Sequence, residues 1–187
     1  METKDWEKEV YEFAKDAHKE QKDDDGKPYF DSHIMQVVHI LKQVTTDEDI
    51  IKAAYLHDTI EDTNVNYEQL KNKFGQRVAD LVNEVTHEGK KDTIGHWFPR
   101  LKTKEGILLK FSDRLSNLSR MDAWDEDRRQ HYLKKSKFWS SAPKEDKDDK
   151  VTIKFDKKEL DELMKKGKEL NKKAIEMRAD LKRLFGK

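Results

Sequence analysis

The sequence lacks several features that would each point to a different class of protein. It has no cysteine, which excludes disulfide bonds and thiolate-bound metals and fits a reducing cytoplasm. Its 39 basic and 39 acidic residues cancel, so no overall positive field favours nucleic acid or an anionic membrane as a partner. No apolar run approaches the roughly 20 residues of a membrane span. We therefore expect a cytoplasmic protein with neither nucleic acid nor a membrane as partner.

Two further absences narrow the possible functions. The acidic, amphipathic N-terminus does not resemble a signal peptide. No glycine-rich phosphate loop of the Walker or Rossmann kind is present, so phosphate binding by this chain would need a different kind of site.

The spacing of apolar residues predicts an all-α fold. Apolar residues recur every three or four positions through most of residues 1–139, which we assign to one helical domain. Ser32 and Asn66 are predicted helix caps, and Gly75 a helix stop. Residues 87–104 are predicted to be a loop with a short helix around Trp97 and Phe98. The predicted helices cover residues 3–21, 33–44, 47–58, 67–74, 76–86, 105–121 and 125–137.

The last quarter of the chain has a different composition. Residues 140–155 are charged and are predicted to be a flexible linker. Residues 156–187 are predicted to be a long amphipathic helix that begins at Asp156. The apolar stripe of this helix needs a partner. We slightly favour docking on the helical domain over a coiled-coil homodimer, because Gly167 and the short length weaken a free coil.

One stretch concentrates polar groups behind a buried helix. His57-Asp58 and, one turn later, Glu61-Asp62 follow the mostly apolar run 50–56. Burying these groups unpaired would be costly, so they need a metal, a cationic partner or water. The alternative is an ordinary acidic helix end facing solvent.

Two other helical segments carry residues of the same kind. His33 lies at the start of one predicted helix and Asp113 in the middle of another. Two imidazoles and two carboxylates suit a divalent first-row ion such as Mn, Fe, Co or Zn, which polarises phosphoryl oxygens and acidifies water. A structural role for His33, and an ion pair of Asp113 with Lys110 or Arg114, are the simpler alternatives.

The order His33, His57-Asp58, Asp113 resembles the H…HD…D pattern of the HD phosphohydrolases. Longer strings around these residues are similar to those of the RelA/SpoT-type alarmone hydrolases. They comprise residues 53–63, 74–82 and 110–118, together with Ala17, His18, Gln21 and residues 26–29. The resemblance covers about residues 5–138. It implies an HD-domain helical bundle with a single catalytic metal, commonly manganese.

The resemblance also implies an activity and assigns roles. The activity is removal of the 3′-pyrophosphate from guanosine tetra- or pentaphosphate, which gives GDP or GTP and pyrophosphate. The metal ligands would be His33, His57, Asp58 and Asp113. Glu61 and Asp62 would position and activate the attacking water. The nucleotide would be contacted by His18, Asn117, Arg128 and Tyr132. The chain is too short for the family's synthetase domain, so it resembles the single-domain hydrolases, including the metazoan SpoT homologues.

Three positions depart from that family's pattern. Asp23 stands where the family usually has an arginine that stacks on guanine, and a carboxylate cannot do this. One extra residue lies between Tyr29 and His33, and we expect the loop to absorb it. Ile34 follows His33 in place of a proline. The base could instead be read by other basic residues such as Lys22, Lys27 or Arg100.

Other functions remain open on the sequence. The same motifs permit a different nucleotide: an adenosine alarmone, the 2′-phosphate of NADPH, or a nucleoside monophosphate. The charged linker and tail would also suit a nucleotide-sensing or partner-binding protein without turnover. A further possibility is an antidote hydrolase that destroys the product of a toxic alarmone synthetase.

Overall fold

A computed structural model describes residues 5–87, 101–121 and 124–135. Within these ranges the regular structure is helical, apart from one antiparallel bridge between Lys22 and Pro28, which confirms the predicted all-α fold. No helix in these ranges is long and apolar enough to cross a membrane. The predicted linker 140–155, the C-terminal helix 156–187 and the predicted helix at Trp97 and Phe98 lie outside the described residues.

The described part of the chain contains eight α-helices and one π-helical turn. The α-helices are α1 (Asp5–Ala17), α2 (Met35–Lys42), α3 (Glu48–Leu56), α4 (Thr59–Asp62), α5 (Tyr67–Phe74), α6 (Gln76–Val85), α7 (Lys104–Leu118) and α8 (Glu126–Lys135). The π-helical turn, Phe30–Ile34, runs directly into α2.

Helix α3 lies at the centre of the bundle. It contacts α1, α2, α6 and α7, and its residues Ile50, Ile51 and 53–56 are buried. Apolar side chains on nearly all sides of a short helix are typical of a core helix. The residue that ends α3, His57, is therefore delivered into the interior of the bundle.

Local sequence signals set several helix boundaries, those at Asn66 and Gly75 as predicted. The Asp47 side chain caps α3 by accepting from the N–H groups of Asp49 and Ile50. Asn66 forms a reciprocal capping box with Gln69 at the start of α5. Gly75 separates α5 from α6 with a φ of 95°, a conformation that disfavours any residue with a Cβ.

The start of α7 is fixed by a buried carboxylate. Thr103 caps the helix, and the Glu84 side chain accepts hydrogen bonds from the backbone N–H groups of Lys102 and Thr103 and from the Thr103 hydroxyl. Glu84 is buried, and these donors compensate its loss of water. Since α7 carries Asp113, this anchor also fixes the axial position of a predicted site residue.

Two predicted boundaries near the N-terminus are wrong. Helix α1 ends at Ala17 instead of residue 21, because the chain turns there and Gln21 pairs through its backbone carbonyl with the N–H of Tyr29. Ser32 does not cap α2. The backbone is already helical at Tyr29, and Ser32 lies inside the π-helical turn, with its N–H bonded to the Pro28 carbonyl.

The π-helical turn also corrects the expectation about the extra residue before His33. In this turn the N–H of Met35 donates to the carbonyl of Phe30, five residues earlier. A π-turn contains one residue more than the α-helix it interrupts. The additional residue is therefore accommodated within the helix that carries His33, and the loop does not absorb it.

Candidate functional site

His33 and His57 meet in the centre of the bundle. Their Nε2 atoms lie 3.3 Å apart, and the side chains are 0% and 1% exposed. His33 comes from the π-helical turn and His57 from the end of α3. Two buried imidazoles that face each other need a shared proton or a cation between them.

The other ring nitrogens fix the orientation of both imidazoles. Nδ1 of His57 donates to the carbonyl of Ala54 at 2.8 Å. Nδ1 of His33 lies 2.9 Å from the Ser116 hydroxyl, which itself donates to Gln36 at 3.0 Å and so accepts from the ring. This second set of hydrogen bonds is typical of metal-binding histidines. It leaves both Nε2 lone pairs available on the same side.

Of the two predicted carboxylate ligands, Asp58 lies against both histidines and Asp113 against His33. Oδ2 of Asp58 lies 3.1 Å from Nε2 of His57 and 3.4 Å from Nε2 of His33, and Oδ1 of Asp113 lies 3.4 Å from Nε2 of His33. Among the described residues, the ligand atoms of His33, His57 and Asp58 all lie within 4.8 Å of one another, as in a metal-binding group, and Asp113 is outside that group. Two imidazole nitrogens and two carboxylate oxygens match the donor set of a divalent first-row ion.

The charges in the cluster reinforce one another. Burial has the largest single effect and lowers the pKa of His57, but the charge and hydrogen bond of Asp58, with the charge of Asp113 and the hydrogen bond to Ala54, together outweigh it and raise the pKa to about 9. Burial likewise opposes ionisation of Asp58, yet the charge of His57 holds the pKa of that carboxyl well below its usual range. Asp58 is therefore ionised, and a cation at this point would replace the proton on His57.

Asp113 has a second partner, as the simpler alternative foresaw. Its Oδ2 lies 2.8 Å from Nζ of Lys110, while its Oδ1 faces His33 and accepts from the amide of Asn117 at 2.7 Å. Burial has the largest single effect and opposes ionisation of Asp113, but the Lys110 ammonium and the interactions with His33 together keep the pKa of Asp113 below its usual range. The ion pair and the candidate ligand role use different oxygens and are compatible.

Glu61 and Asp62 lie on α4, directly after Asp58. The Glu61 carboxylate accepts from the backbone N–H of His87 at 2.8 Å, and Asp62 accepts from the side-chain amide of Gln21 at 2.9 Å. Partial burial of the two carboxyl groups, followed by the charge of Asp58, raises the pKa of both. A raised pKa makes each carboxylate a better proton acceptor near neutral pH.

Two of the predicted substrate-binding residues, Arg128 and Tyr132, contact other side chains of the protein. Arg128 donates two hydrogen bonds to Asp24, at 2.9 and 3.0 Å, and its guanidinium lies 4.2 Å from the centre of the Trp124 ring. Tyr132 packs edge-on against Trp124, and burial followed by the charge of Asp113 raises the pKa of its hydroxyl. Contact of Asn117, Arg128, Tyr132 and His18 with a nucleotide stays a prediction.

Asp23, the main departure from the family pattern, has a local structural role. Its Oδ1 accepts from the backbone N–H groups of Asp25 and Lys27, at 3.0 and 2.9 Å. This is the side-chain-to-backbone bonding that favours aspartate in tight turns. Its Oδ2 lies 3.6 Å from the guanidinium of Arg120, which also lies 5.7 Å from the centre of the Tyr29 ring.

The structure adds residues that the sequence did not single out as part of the site. The Tyr29 hydroxyl donates to Oδ2 of Asp58 at 2.6 Å, Ser116 orients His33, and Gln21 bonds to Asp62. Ser116 could have been found, since it is one helical turn from Asp113 and shares its face. No local signal marks the contacts of Tyr29 and Gln21, because their partners are 29 and 41 residues away in sequence.

Comparison with known proteins gives consistent matches. A family model described as "HD domain" matches residues 10–100. The guanosine-3′,5′-bis(diphosphate) 3′-pyrophosphohydrolase of Aquifex aeolicus is 42% identical over 135 residues, which is 68% of this chain and 19% of that protein. The protein of the same activity named MESH1 from Xenopus tropicalis is 36% identical over 149 residues, 71% of this chain and 79% of that protein.

A solved structure is also similar. It is described as "A metazoan ortholog of SpoT hydrolyzes ppGpp and plays a role in starvation responses", with a TM-score of 0.65 and 25% sequence identity. The superposition covers 100% of this chain and 98% of that one. The chain thus spans about a fifth of the Aquifex relative but most of the length of the metazoan proteins.

Proposed function

The chain belongs to the family of HD-domain guanosine-3′,5′-bis(diphosphate) 3′-pyrophosphohydrolases, and we propose that it removes the 3′-pyrophosphate of guanosine tetra- or pentaphosphate. The products would be pyrophosphate and GDP or GTP. The reaction would depend on one divalent ion, for which we propose manganese. A cytoplasmic location, and oligomerisation through the C-terminal helix, stay predictions.

The observation that carries this proposal is the convergence of four side chains from separate parts of the bundle. His33, His57, Asp58 and Asp113 would hold the ion: the first three lie within hydrogen-bonding or ion-pairing distance of one another, and Oδ1 of Asp113 lies 3.4 Å from Nε2 of His33. Such an ion, when bound, supplies a Lewis acid for a phosphoryl oxygen and a more acidic water. The two histidines are already oriented, because Nδ1 of His57 and Nδ1 of His33 each form a hydrogen bond.

Hydrolysis requires that one water molecule lose a proton and attack phosphorus. We assign the proton-accepting role to Glu61 and Asp62, whose raised pKa values suit a general base. The water oxygen would bond to the phosphorus attached to the ribose 3′-oxygen. The bond from that phosphorus to the 3′-oxygen would break, and the 3′-oxygen would take up a proton. The water oxygen leaves in pyrophosphate, and the nucleotide retains a 3′-hydroxyl.

The experiment that tests the proposal is a chromatographic assay with manganese and with a chelator. Guanosine tetraphosphate should give GDP and pyrophosphate in the manganese arm and remain intact with chelator. Asp58→Ala should abolish the reaction, and the matched surface variant Glu20→Gln should retain it, because Glu20 is exposed on the turn after α1. Failure to release pyrophosphate from this nucleotide would contradict the proposal.

A second candidate substrate class rests on the acidic turn 23–25. Asp23 and Asp24 pair with Arg120 and Arg128, so cations that could contact the nucleotide already have carboxylate partners. A less highly charged nucleotide would suit these surroundings, such as one with a single 2′- or 3′-phosphate or a nucleoside monophosphate. The same assay should therefore include NADPH, an adenosine 3′-pyrophosphate and deoxynucleotides, and the highest kcat/KM identifies the substrate.

A binding protein without turnover remains the alternative from another class. Such a protein would have no need of two carboxylates with raised pKa beside the candidate metal ligands. The proximity of Glu61 and Asp62 to Asp58 therefore favours the hydrolase. A role as antidote to a toxic synthetase would follow from the same hydrolysis and adds no separate requirement on the site.

A further inference from the structure

The segment formed by residues 18–29 connects α1 to the π-helical turn and lies against the candidate metal site. Its two ends are joined by a hydrogen bond from the Tyr29 N–H to the Gln21 carbonyl, 2.9 Å long, and by the bridge between Lys22 and Pro28. Gln21 and Tyr29 are therefore neighbours at the base of a closed turn. Each sends its side chain to a different carboxylate.

Gln21 connects a buried histidine to Asp62. Nδ1 of His18 lies 2.6 Å from Oε1 of Gln21, and Nε2 of Gln21 donates to Oδ2 of Asp62 at 2.9 Å. His18 is 2% exposed, so its position is fixed by packing. The flexible amide of Gln21 is thus held at one end by a rigid side chain.

The direction of these two hydrogen bonds is determined chemically. An ionised carboxylate has no proton to give, so the Gln21 amide must present its NH₂ group to Asp62. Its oxygen then faces His18, which must donate from Nδ1. Burial lowers the pKa of His18, so the ring is neutral with its proton on Nδ1. Replacing the histidine by a side chain without a donor would remove what fixes the amide orientation.

Tyr29 holds the other carboxylate. Its hydroxyl donates to Oδ2 of Asp58 at 2.6 Å, the same oxygen that faces His33 and His57. A phenol keeps its proton at neutral pH and an ionised carboxylate has none to give, so the hydroxyl is the donor in this pair. A hydrogen bond of this kind orients a metal-binding carboxylate and tunes its affinity.

We propose that His18, Gln21 and Tyr29 form a positioning clamp in which Tyr29 orients Asp58 for metal binding and Gln21, fixed by His18, orients Asp62 for water activation. This inference rests on the proposed hydrolase function. It gives His18 a role through Gln21 that does not require contact with the nucleotide. The two sides of the clamp have different effects. The hydrogen bond from Tyr29 to Asp58, the Tyr29 arm, affects metal affinity, and the hydrogen bonds that join His18, Gln21 and Asp62, the Gln21 arm, affect turnover.

The test uses variants that remove one hydrogen bond each. Tyr29→Phe should weaken manganese binding by about tenfold, measured by titration calorimetry on metal-free protein, with turnover largely restored at saturating manganese. Gln21→Met should lower kcat by about tenfold at saturating manganese, with KM and the manganese Kd within about twofold of wild type. Glu20→Gln, on the same turn, is the matched control.

A double-mutant cycle decides whether His18 acts through Gln21. His18→Leu should lower kcat, and His18→Asn, whose amide can replace Nδ1 as a donor, should restore most of the loss. In the Gln21→Met background, His18→Leu should have no further effect, because the connection is already broken. An equal loss in both backgrounds would overturn the assignment of His18. A kcat of Gln21→Met within twofold of wild type would overturn that of Gln21.

Failure of the clamp and failure of the proposed function give different results. Two of the measurements need no substrate: the manganese affinity by calorimetry and the tautomer of His18 by ¹⁵N NMR. Absence of the Nδ1–H tautomer, or unchanged metal affinity in Tyr29→Phe, would contradict the clamp even in an active enzyme. A wild-type protein that binds manganese as expected but hydrolyses no 3′-pyrophosphate would contradict the function, and with it the role of the Gln21 arm in turnover.

Discussion

The Nε2 atoms of His33 and His57 lie 3.3 Å apart in the interior of the bundle, although 24 residues separate them in sequence. Each ring is held from behind, by Ser116 and by the carbonyl of Ala54. Two buried nitrogen atoms this close are stable when a positive charge lies between them. The packing of α3 against its neighbours therefore brings together side chains that suit a cation, which supports the proposed metal site.

The Ser116 hydroxyl should contribute to metal affinity. It accepts from Nδ1 of His33 and donates to Gln36, so Ser116→Ala leaves the imidazole without its orienting partner. We expect manganese affinity to fall about tenfold, measured by calorimetry. The matched control is Ser112→Ala on the same helix, where the hydroxyl donates to the backbone carbonyl of Leu108. Equal affinities for the two variants would contradict the role of Ser116.

The ion pair between Asp24 and Arg128 should compete with the nucleotide. Both side chains are about half exposed, so the pair is weak, worth on the order of 1 kcal/mol or less. Asp24→Asn keeps an acceptor for Trp124 and releases the arginine for phosphate oxygens. KM should fall by up to about fivefold, whereas Asp25→Asn, which disrupts an exposed pair with Lys27, should leave it unchanged. A higher KM in Asp24→Asn would show that the carboxylate helps to bind the substrate.

Gly106 should be intolerant of any side chain. A Cβ atom at this position would lie 2.5 Å from Oε1 of Glu84, and Glu84 is held in place by the N–H groups of Lys102 and Thr103. We expect Gly106→Ala to lower the free energy of unfolding by about 1–3 kcal/mol, measured by urea denaturation. In a Glu84→Ala background the same substitution should have little further effect. Full additivity of the two substitutions would contradict this explanation.

Asp47 should contribute to stability in a pH-dependent way. The hydrogen bond from Arg77 outweighs burial and, with the N–H groups of Ile50 and Asp49, holds the pKa of this carboxyl below its usual value. Its stabilisation is therefore present above the unfolded-state pKa and is lost as the pH falls through the folded-state pKa. Asp47→Ala should cost about 1–2 kcal/mol at neutral pH.

The measurement for Asp47 is urea denaturation of wild type and Asp47→Ala across the acidic range. The difference in unfolding free energy should shrink as the pH falls from about 6 to about 2. Asp16→Asn, an exposed position on α1, should show a small difference throughout. A difference between wild type and Asp47→Ala that stays constant with pH would contradict the pKa argument.

Much of the fold and of the ligand set followed from the sequence because the relevant signals are local. Helical periodicity located the helices, and Asn66 and Gly75 marked the boundaries of α5 as predicted. The candidate ligands were recognisable because His57 and Asp58 are adjacent at the end of an apolar helix. Their convergence with His33 and Asp113 follows from packing that the sequence pattern alone does not specify.

The surroundings of the site were not predictable in the same way. The contact of Gln21 with Asp62 joins residues 41 positions apart, and that of Ser116 with His33 joins residues 83 apart. Ser116 shares a helix face with Asp113, which marks it as a residue near the site, but neither pairing leaves a periodic or capping signal of its own. The π-helical turn at Phe30–Ile34 was also missed, because a turn with one extra residue has the same apolar spacing as a loop followed by a helix.

The most direct test of the account is anomalous diffraction from crystals of the protein grown with manganese. We expect one manganese peak bonded to Nε2 of His33 and His57 and to carboxylate oxygens of Asp58 and Asp113. Absence of manganese at this point, or a peak elsewhere in a protein that still hydrolyses guanosine tetraphosphate, would contradict it.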